Sequence, residues 1–343
     1  MLDTKEFTKR VWIAVAITAL FTVVLLLLKA TFSVLLLVLA GVLIAIFFRG
    51  LANMICRKTN WKSGLCLTIS IIGTFLLLAG LFWLIGAKVA AQAQQLTEEF
   101  PKIIDNARQQ LSQHPLGQKL ITEVSSPESA GKAKKLAASF FNSSFGLLGD
   151  VYIVLLLGIF FTVAPSSYTK GMILLVPPAG RKRAEEVVAT LGDNLKKWLK
   201  GKIFAMFVVF VLTAIGLAII GVPLWLVLAL IAGLLNFIPN FGPLLAIIPA
   251  ALVALLEGPV VAAIVVGLYI LIQTVESSVI TPSIQKKLVE MPPALIIIAQ
   301  LLVAPLTGVW GLILATPIIL IIMTLVKQLY IEKKDATGKT NKS

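Results

Sequence analysis

The chain is 343 residues long, with 58% hydrophobic and 13% charged residues and a mean hydropathy of +0.98. Soluble domains are about 45–50% apolar and about 25% charged, so this composition excludes a soluble globular protein. The 30 Lys and Arg exceed the 16 Asp and Glu, giving a net charge of +14. Because the long apolar stretches have to lie in lipid, we interpret this charge as a signal of membrane topology and not as a nucleic-acid surface.

The first 87 residues predict an N-terminal unit of three membrane spans. A span needs about 20 mainly apolar residues, and residues 11–28, 30–48 and 63–87 meet this requirement. Only Lys29 separates the first two segments, so they are predicted to form a helical hairpin. No small-residue cleavage site follows a short apolar core, which favours an uncleaved anchor over a signal peptide.

A polar segment at residues 88–145 interrupts the apolar pattern. Its apolar residues recur at helical spacing, which predicts an amphipathic helical insert outside the bilayer. His114 has no histidine partner and is interpreted as a solvated loop residue. Cys56 and Cys66 lack a second cysteine pair and a neighbouring histidine, so both are predicted to be reduced structural thiols. We expect no metal site and no cofactor.

The second half of the chain predicts a fourth span at residues 146–164, a basic segment up to residue 202, a C-terminal unit at residues 203–326 and a basic tail at residues 327–343. Twenty of the 30 Lys and Arg lie in four segments that alternate so as to share one side: residues 1–10, 49–62, 165–202 and 327–343. The positive-inside rule places this side, and with it both termini, in the cytoplasm, and the insert outside.

Two apolar stretches in the C-terminal unit, residues 224–256 and 294–326, are each longer than one untilted span needs. Proline and glycine interrupt the first stretch at residues 236–243 and the second at residues 304–311. Such breaks free backbone groups that lipid cannot satisfy, so they have to be buried in protein or line a wet cavity. Each stretch is interpreted as a re-entrant hairpin, and the alternative is a single tilted and kinked helix.

A weak internal repeat relates the two broken stretches. At an offset of 69, Pro223 matches Pro292 and Gly242 matches Gly311, and each broken stretch follows a conventional span, residues 203–220 or 260–280. Two hairpins of this kind have opposite orientations. Inverted repeats of this type place a transport site near the bilayer midplane in many transporters. The predicted fold class is therefore an all-α polytopic membrane protein with about eight hydrophobic segments, two of them broken.

The C-terminal unit carries two sequence signatures. The first runs from GVP at residues 221–223 through LNFIPNFGP at residues 235–243 to Pro249. The second runs from VESS at residues 275–278 through Pro282 and Pro292 to the glycines at 308 and 311 and Pro317. Together they resemble the autoinducer-2 exporter (AI-2E) family of permeases, and the order of spans and polar insert extends the resemblance over nearly the whole chain.

This resemblance implies a multi-spanning protein of the bacterial inner membrane that forms a homo-oligomer and exports small molecules such as the quorum-sensing signal autoinducer-2. Some members of the family are associated with the exchange of sodium or lithium ions for protons, which keeps a monovalent cation or proton open as the solute. No metalloprotease, hydrolase or Walker A motif is present in the sequence, so an enzyme is not expected.

Three acidic residues lie in or at the edges of the apolar spans: Asp150, Glu257 and Glu276. Charged groups in the membrane are costly and usually face a cavity or a partner. Glu276 is the strongest candidate, because Gln273 lies three residues earlier on the same helical face and Ser277 widens the polar patch. Capping or pairing with a cytoplasmic lysine is the alternative for Glu276, and interfacial placement is favoured for the other two.

The sequence thus predicts a solute or ion pathway lined by polar groups of the two breaks and of the Glu276 patch, with a small polar solute or a monovalent cation as partner: Asn236, Pro239, Asn240, Gly242, Gln273, Glu276, Ser277, Thr307, Gly308 and Gly311. The half-helix ends of the two breaks are expected to meet near the midplane. A different class also stays open, in which the protein is a membrane scaffold or envelope-assembly partner whose outward insert docks other proteins.

Overall fold

The structure, a computed structural model, describes residues 4–80, 83, 86, 149–255, 257–282 and 292–331. These ranges are helical and contain no β-strand. Five helices in them are long and apolar enough to cross a membrane, and a sixth crossing results if one bent pair counts as a single span. The chain is therefore a polytopic all-α membrane protein. The insert at 88–145 with His114, and the loop at 283–291, lie outside the described residues.

Helix α1, Thr4–Thr59, passes through Lys29 without a break, so the predicted hairpin between the first two spans is wrong. The physical reason is that no glycine, proline or asparagine lies in residues 20–40, and a single lysine does not end a helix. The prediction that residues 1–10 lie on the same side of the membrane as residues 49–62 required a turn between the two spans. The continuous helix α1 contains no such turn and does not support that part of the predicted topology.

Helix α2, Ser63–Gly80, follows a tight turn in which Asn60 adopts a left-handed φ of 56°. This reversal brings the Cα atoms of Cys56 and Cys66 to 5.7 Å, and the two cysteines form a disulfide. The prediction of two reduced thiols is wrong, because it considered the sequence spacing without the chain reversal between the two helices. The hydroxyl of Ser70 also donates to the carbonyl oxygen of Phe48 at 2.8 Å, which joins α2 to α1.

Helix α3, Gly149–Val163, bends by 88° into the short helix α4, Pro165–Leu174. Helix α5 then runs from Arg181 to Ile220, so much of the basic segment is an extension of the fifth span. It ends at Gly221, whose φ of 83° and whose hydrogen bond to the Leu217 carbonyl are typical of a left-handed C-cap.

The described residues of the C-terminal unit form five further helices: α6 Trp225–Leu235, α7 Phe241–Ala254, α8 Pro259–Val275, α9 Pro293–Thr307 and α10 Val309–Val326. Helix α8 continues into a π-helical turn, Glu276–Ile280. Two apolar cores hold the bundle together. One is formed between α5, α6, α7 and α8, and the other between α1, α3, α5 and α10.

Candidate functional site

The first break, between α6 and α7, folds the chain back on itself. Ala232 of α6 and Ala246 of α7 line one small cavity of about 10 Å³, although 14 residues of straight helix would separate them by about 21 Å. Gly242 lies where the two arms meet, and a Cβ atom there would overlap the carbonyl group of Leu235. Glycine is therefore required for the close approach of the arms, and the break forms a hairpin.

The second break, between α9 and α10, also forms a hairpin. Ile296 of α9 and Thr316 of α10 line the same cavity, whereas 20 residues of straight helix would place them about 30 Å apart. A Cβ atom at Gly311 would lie 2.8 Å from the carbonyl oxygen of Val303 in the other arm. Gly242 and Gly311, which the offset of 69 residues pairs in the sequence, thus occupy the same structural position.

The two hairpins approach the middle of α5 from opposite ends. A Cβ at Gly233 of the first hairpin would lie 2.8 Å from Phe210, and the ring of Phe237 at the tip packs edge-on against Trp198 at 5.8 Å. The open end of the second hairpin lies nearer the start of α5, where the Asn194 amide donates to the Thr324 hydroxyl at 3.1 Å. The pair therefore has the antiparallel arrangement of an inverted repeat.

A polar cavity of about 310 Å³ lies between the hairpins, α5 and the end of α8. Its polar lining comes from four elements: Lys202 of α5, Asn240 at the first tip, Gln273, Glu276, Ser277 and Thr281 at the end of α8, and Thr316 of α10. Its apolar walls include Trp198, Ala205 and Ile296. A cavity of this size and mixed lining can hold a small polar molecule.

Glu276 is a buried acidic residue in the wall of this cavity. It is buried, with 7% of its surface exposed. Gln273 donates from Nε2 to one carboxylate oxygen at 3.0 Å, and Thr281 donates from Oγ1 to the other at 3.4 Å. Glu276 also begins the π-helical turn, a local widening of the helix that is frequent at functional sites. These neighbours hold the carboxylate in place at the wall of the cavity.

Lys202 gives the cavity a charge of the opposite sign. It is half-buried and lines the same cavity as Glu276, whose charge acts on its ammonium group. The two charges are not among the ion pairs within 4.0 Å that the described residues form. The space between them is therefore suited to a small molecule that offers both a hydrogen-bond donor and an acceptor.

Gln300 of α9 joins the two hairpins. Its side chain is fully buried, its Nε2 donates to the carbonyl oxygen of Pro239 at 2.9 Å, and its Oε1 accepts from Asn240 at 3.4 Å. The amide thus adds a second donor to a carbonyl at the break, which also accepts from the N–H of Phe241 at 2.7 Å. Gln300 is not among the predicted site residues, although it is a lone amide in an otherwise apolar helix and that signal could have identified it.

Polar groups continue beyond the cavity toward the end of α5. Gln273 also lines the small cavity of the first hairpin, together with Thr213 and Tyr269. The hydroxyls of these two residues are buried and have no hydrogen-bond partner in the described part of the chain. The next layer is apolar and closely packed around Leu217, Val222 and Val265. The polar region therefore ends at an apolar layer on that side.

The structure brings together five of the ten predicted site residues: Pro239, Asn240, Gln273, Glu276 and Ser277. Asn236 is buried at the turn of the first hairpin, and Gly242 lies in the packing of its arms. The other three, Thr307, Gly308 and Gly311, are at the second tip, which does not line the cavity. Lys202 was missed because it lies outside both sequence signatures, and Gln300 and Thr316 were missed because they lie inside apolar runs.

The other two acidic candidates lie away from the cavity. Asp150 accepts a hydrogen bond from the indole Nε1 of Trp310 at 2.8 Å, so it anchors the second hairpin tip to the start of α3. Glu257 is exposed in the short link before α8. Within the described ranges, no group of three or more His, Cys, Asp and Glu could hold a metal ion.

Comparisons with known proteins add the following findings. A family model described as "AI-2E family transporter" matches residues 12–331. The "Putative transport protein YrrI" of Bacillus subtilis (strain 168) is 32% identical over 143 residues, which cover 42% of this chain and 40% of that protein. The "Putative transport protein YueF" of the same organism is 25% identical over 146 residues, covering 43% and 40%.

A longer match is with the "Putative transport protein MT0215" of Mycobacterium tuberculosis (strain CDC 1551 / Oshkosh), which is 28% identical over 263 residues. That match covers 73% of this chain and 71% of the relative. The matched region thus spans 40% of the length of each Bacillus protein and 71% of the length of the mycobacterial one.

Proposed function

Because the chain belongs to the AI-2E family of transporters, we propose that it exports a small polar solute across the bacterial inner membrane, with autoinducer-2 as the candidate solute. The cavity that contains Glu276 and Lys202 is the proposed binding site. The single observation that carries this proposal is the position of the cavity, enclosed by a long span and two antiparallel hairpins, where transporters with inverted repeats bind their solutes.

The proposed site would replace part of the hydration of the solute. Glu276 accepts hydrogen bonds, Lys202 donates them, and Asn240 and Thr316 offer neutral groups around the same space. The first hairpin adds polar groups at its tip, because Pro239 and Asn240 both line the cavity. A solute with several hydroxyl or carbonyl groups can satisfy this set, whereas an apolar molecule cannot.

We further propose alternating access as the transport mechanism. The polar region beyond Gln273 ends at the apolar layer around Leu217, Val222 and Val265, which would close the route on that side. Passage would then need movement of a hairpin against α5. In this proposal the basic segments at residues 49–62 and 165–202 and the C-terminal tail face the cytoplasm.

A flux measurement with a matched pair of variants tests the proposal. The purified full chain is reconstituted into liposomes loaded with autoinducer-2, and the released solute is quantified by mass spectrometry of the outside solution. Glu276→Gln keeps the shape of the side chain and removes its charge. We expect efflux to fall about tenfold or more, the equivalent of one lost charge-assisted hydrogen bond.

Asp150→Asn is the control, since it makes the same change at a carboxyl group that lies outside the cavity. Its efflux should stay within about twofold of the unmodified protein, because the change leaves the lining of the cavity intact. A twofold change in rate corresponds to only a small fraction of the energy of one such hydrogen bond. Equal losses in both variants, or efflux from the unmodified protein no faster than from protein-free liposomes, would contradict the proposal.

A second candidate function is the exchange of sodium or lithium ions for protons, and the buried carboxylate of Glu276 favours it. The carboxylate, together with the hydroxyls of Ser277 and Thr281 that line the same cavity, offers the hard oxygen ligands that such cations prefer, and it can take up a proton in their place. A pH-sensitive dye inside the same liposomes tests this function when sodium or lithium is added outside. Absence of both fluxes would favour the scaffold class.

A further inference from the structure

A second, largely apolar groove lies on the outer face of the bundle, between α1 and α5. It has a volume of about 400 Å³ and is separate from the Glu276 cavity. Phe47 and Met54 of α1 and Phe204 and Phe207 of α5 line its apolar part, and Lys196 and Lys200 lie at one end. The groove is therefore apolar along most of its length and positively charged at one end.

The position of the groove along the two helices corresponds to the edge of the bilayer. Helix α5 carries its charged residues before residue 203 and is apolar from residue 203 to residue 220. Helix α1 is apolar before Arg49 and becomes basic toward its end, with Arg57 and Lys58 in the last turn. Both helices thus change from apolar to basic at the same end of the groove, and Lys196 and Lys200 lie at the depth of lipid headgroups.

The charged end of the groove carries only positive side chains among the described residues. Lys196 and Lys200 are four residues apart and so lie on the same face of α5. No carboxylate is among the described residues that line the groove. The neighbouring Lys197 differs, because its Nζ pairs with Asp193 at 2.6 Å and it does not line the groove. The two groove lysines therefore present an uncompensated positive charge beside an apolar channel.

We propose that this groove binds one anionic phospholipid, with the phosphate group on Lys196 and Lys200 and an acyl chain along the apolar part between α1 and α5. Charge complementarity carries the choice of occupant. A phospholipid supplies a phosphate at headgroup depth and an acyl chain below it, in the same order as the two lysines and the phenylalanines. The site would join α1 to α5, the helix from which both hairpins are supported.

The test measures phospholipid binding to the purified full chain by native mass spectrometry. The affinity for phosphatidylglycerol is compared with the affinity for phosphatidylcholine, each from its own titration. Both titrations are made with the variant Lys196→Gln/Lys200→Gln and with the control variant Lys182→Gln/Lys197→Gln. The control pair removes the same charge from the same helix at positions outside the groove. We expect phosphatidylglycerol to bind about 25-fold more weakly to the first variant, at about fivefold per lysine. Its affinity for the second variant should be nearly that of the unmodified protein.

A second variant tests the apolar part of the groove. A Cβ at Gly50, which lines the groove, would meet no atom within 4 Å, so Gly50→Leu should fold and fill the channel. We expect it to weaken phosphatidylglycerol binding while both lysines remain. Three results would overturn the proposal: equal losses in the two lysine pairs, equal affinity for both phospholipids, or a Gly50→Leu chain that changes its oligomeric state and keeps its phospholipid affinity.

Discussion

The two hairpins use the same backbone device and contribute differently to the site. In each, a glycine lies against a carbonyl group of the opposite arm, Gly242 against Leu235 and Gly311 against Val303. The first hairpin places its tip in the polar cavity, where Pro239 and Asn240 line the space around Glu276. The second hairpin faces the cavity with its arms and directs its tip to Asp150 of α3.

This difference shows that a break in an apolar stretch does not by itself indicate a binding residue. The position of each tip along α5 decides its role, because the hairpins enter from opposite ends and overlap at the level of Trp198 and Lys202. The first tip reaches this level, while the second hairpin passes it with Ile296 and Thr316 on its arms. Variants in the two hairpins should therefore have similar effects on stability and different effects on transport.

The largest expected effect concerns the two glycines. Gly242→Ala and Gly311→Ala place a Cβ against backbone of the other arm, which cannot move as a side-chain end can, and we expect each to cost about 3 kcal/mol or more of stability. Gly267→Ala is the control, because its Cβ meets no atom within 4 Å. Thermal unfolding in detergent measures the losses. A Gly311→Ala protein as stable as the control would show that the second hairpin does not need its glycine.

The contact between the hairpins should give the next largest effect. Gln300→Met keeps the length of the side chain and removes both of its hydrogen bonds, so that the carbonyl of Pro239 keeps only the N–H of Phe241 as a donor. We expect a loss of about 1–3 kcal/mol in stability and a reduced efflux, since Asn240 would no longer be held at the cavity. Leu301→Met, at the exposed neighbouring position, is the control. Unchanged efflux would show that transport does not need the contact between the two hairpins.

The smallest expected effect concerns the second tip. Trp310→Phe removes the hydrogen bond from the indole to Asp150 and keeps most of the apolar contact. Because this bond is only partly buried, we expect a cost of about 1 kcal/mol in thermal unfolding and an efflux within about twofold of the unmodified protein. A large loss of efflux would mean that the second tip participates in transport, and the contrast between the two hairpins would then fail.

The apolar periodicity and the Pro and Gly positions predicted most of the helices, both breaks and the paired positions of Gly242 and Gly311. The same approach was wrong at Lys29, where a single charge was taken as a turn, and at Cys56 and Cys66, where a tight turn closes a disulfide. Both errors concern chain reversal. Reversal depends on turn residues such as Asn60, and hydropathy does not register them.

By itself the sequence determined that the chain is a helical membrane protein, because stretches of about 20 apolar residues have few alternatives in lipid. It also determined where those helices break and that Glu276 lies in a polar patch. Only the tertiary structure decided that Lys202, Gln300 and Thr316 join that patch, and that the second tip does not. The reason is that these residues belong to separate helices, and which faces of those helices meet depends on how the hairpins pack against α5.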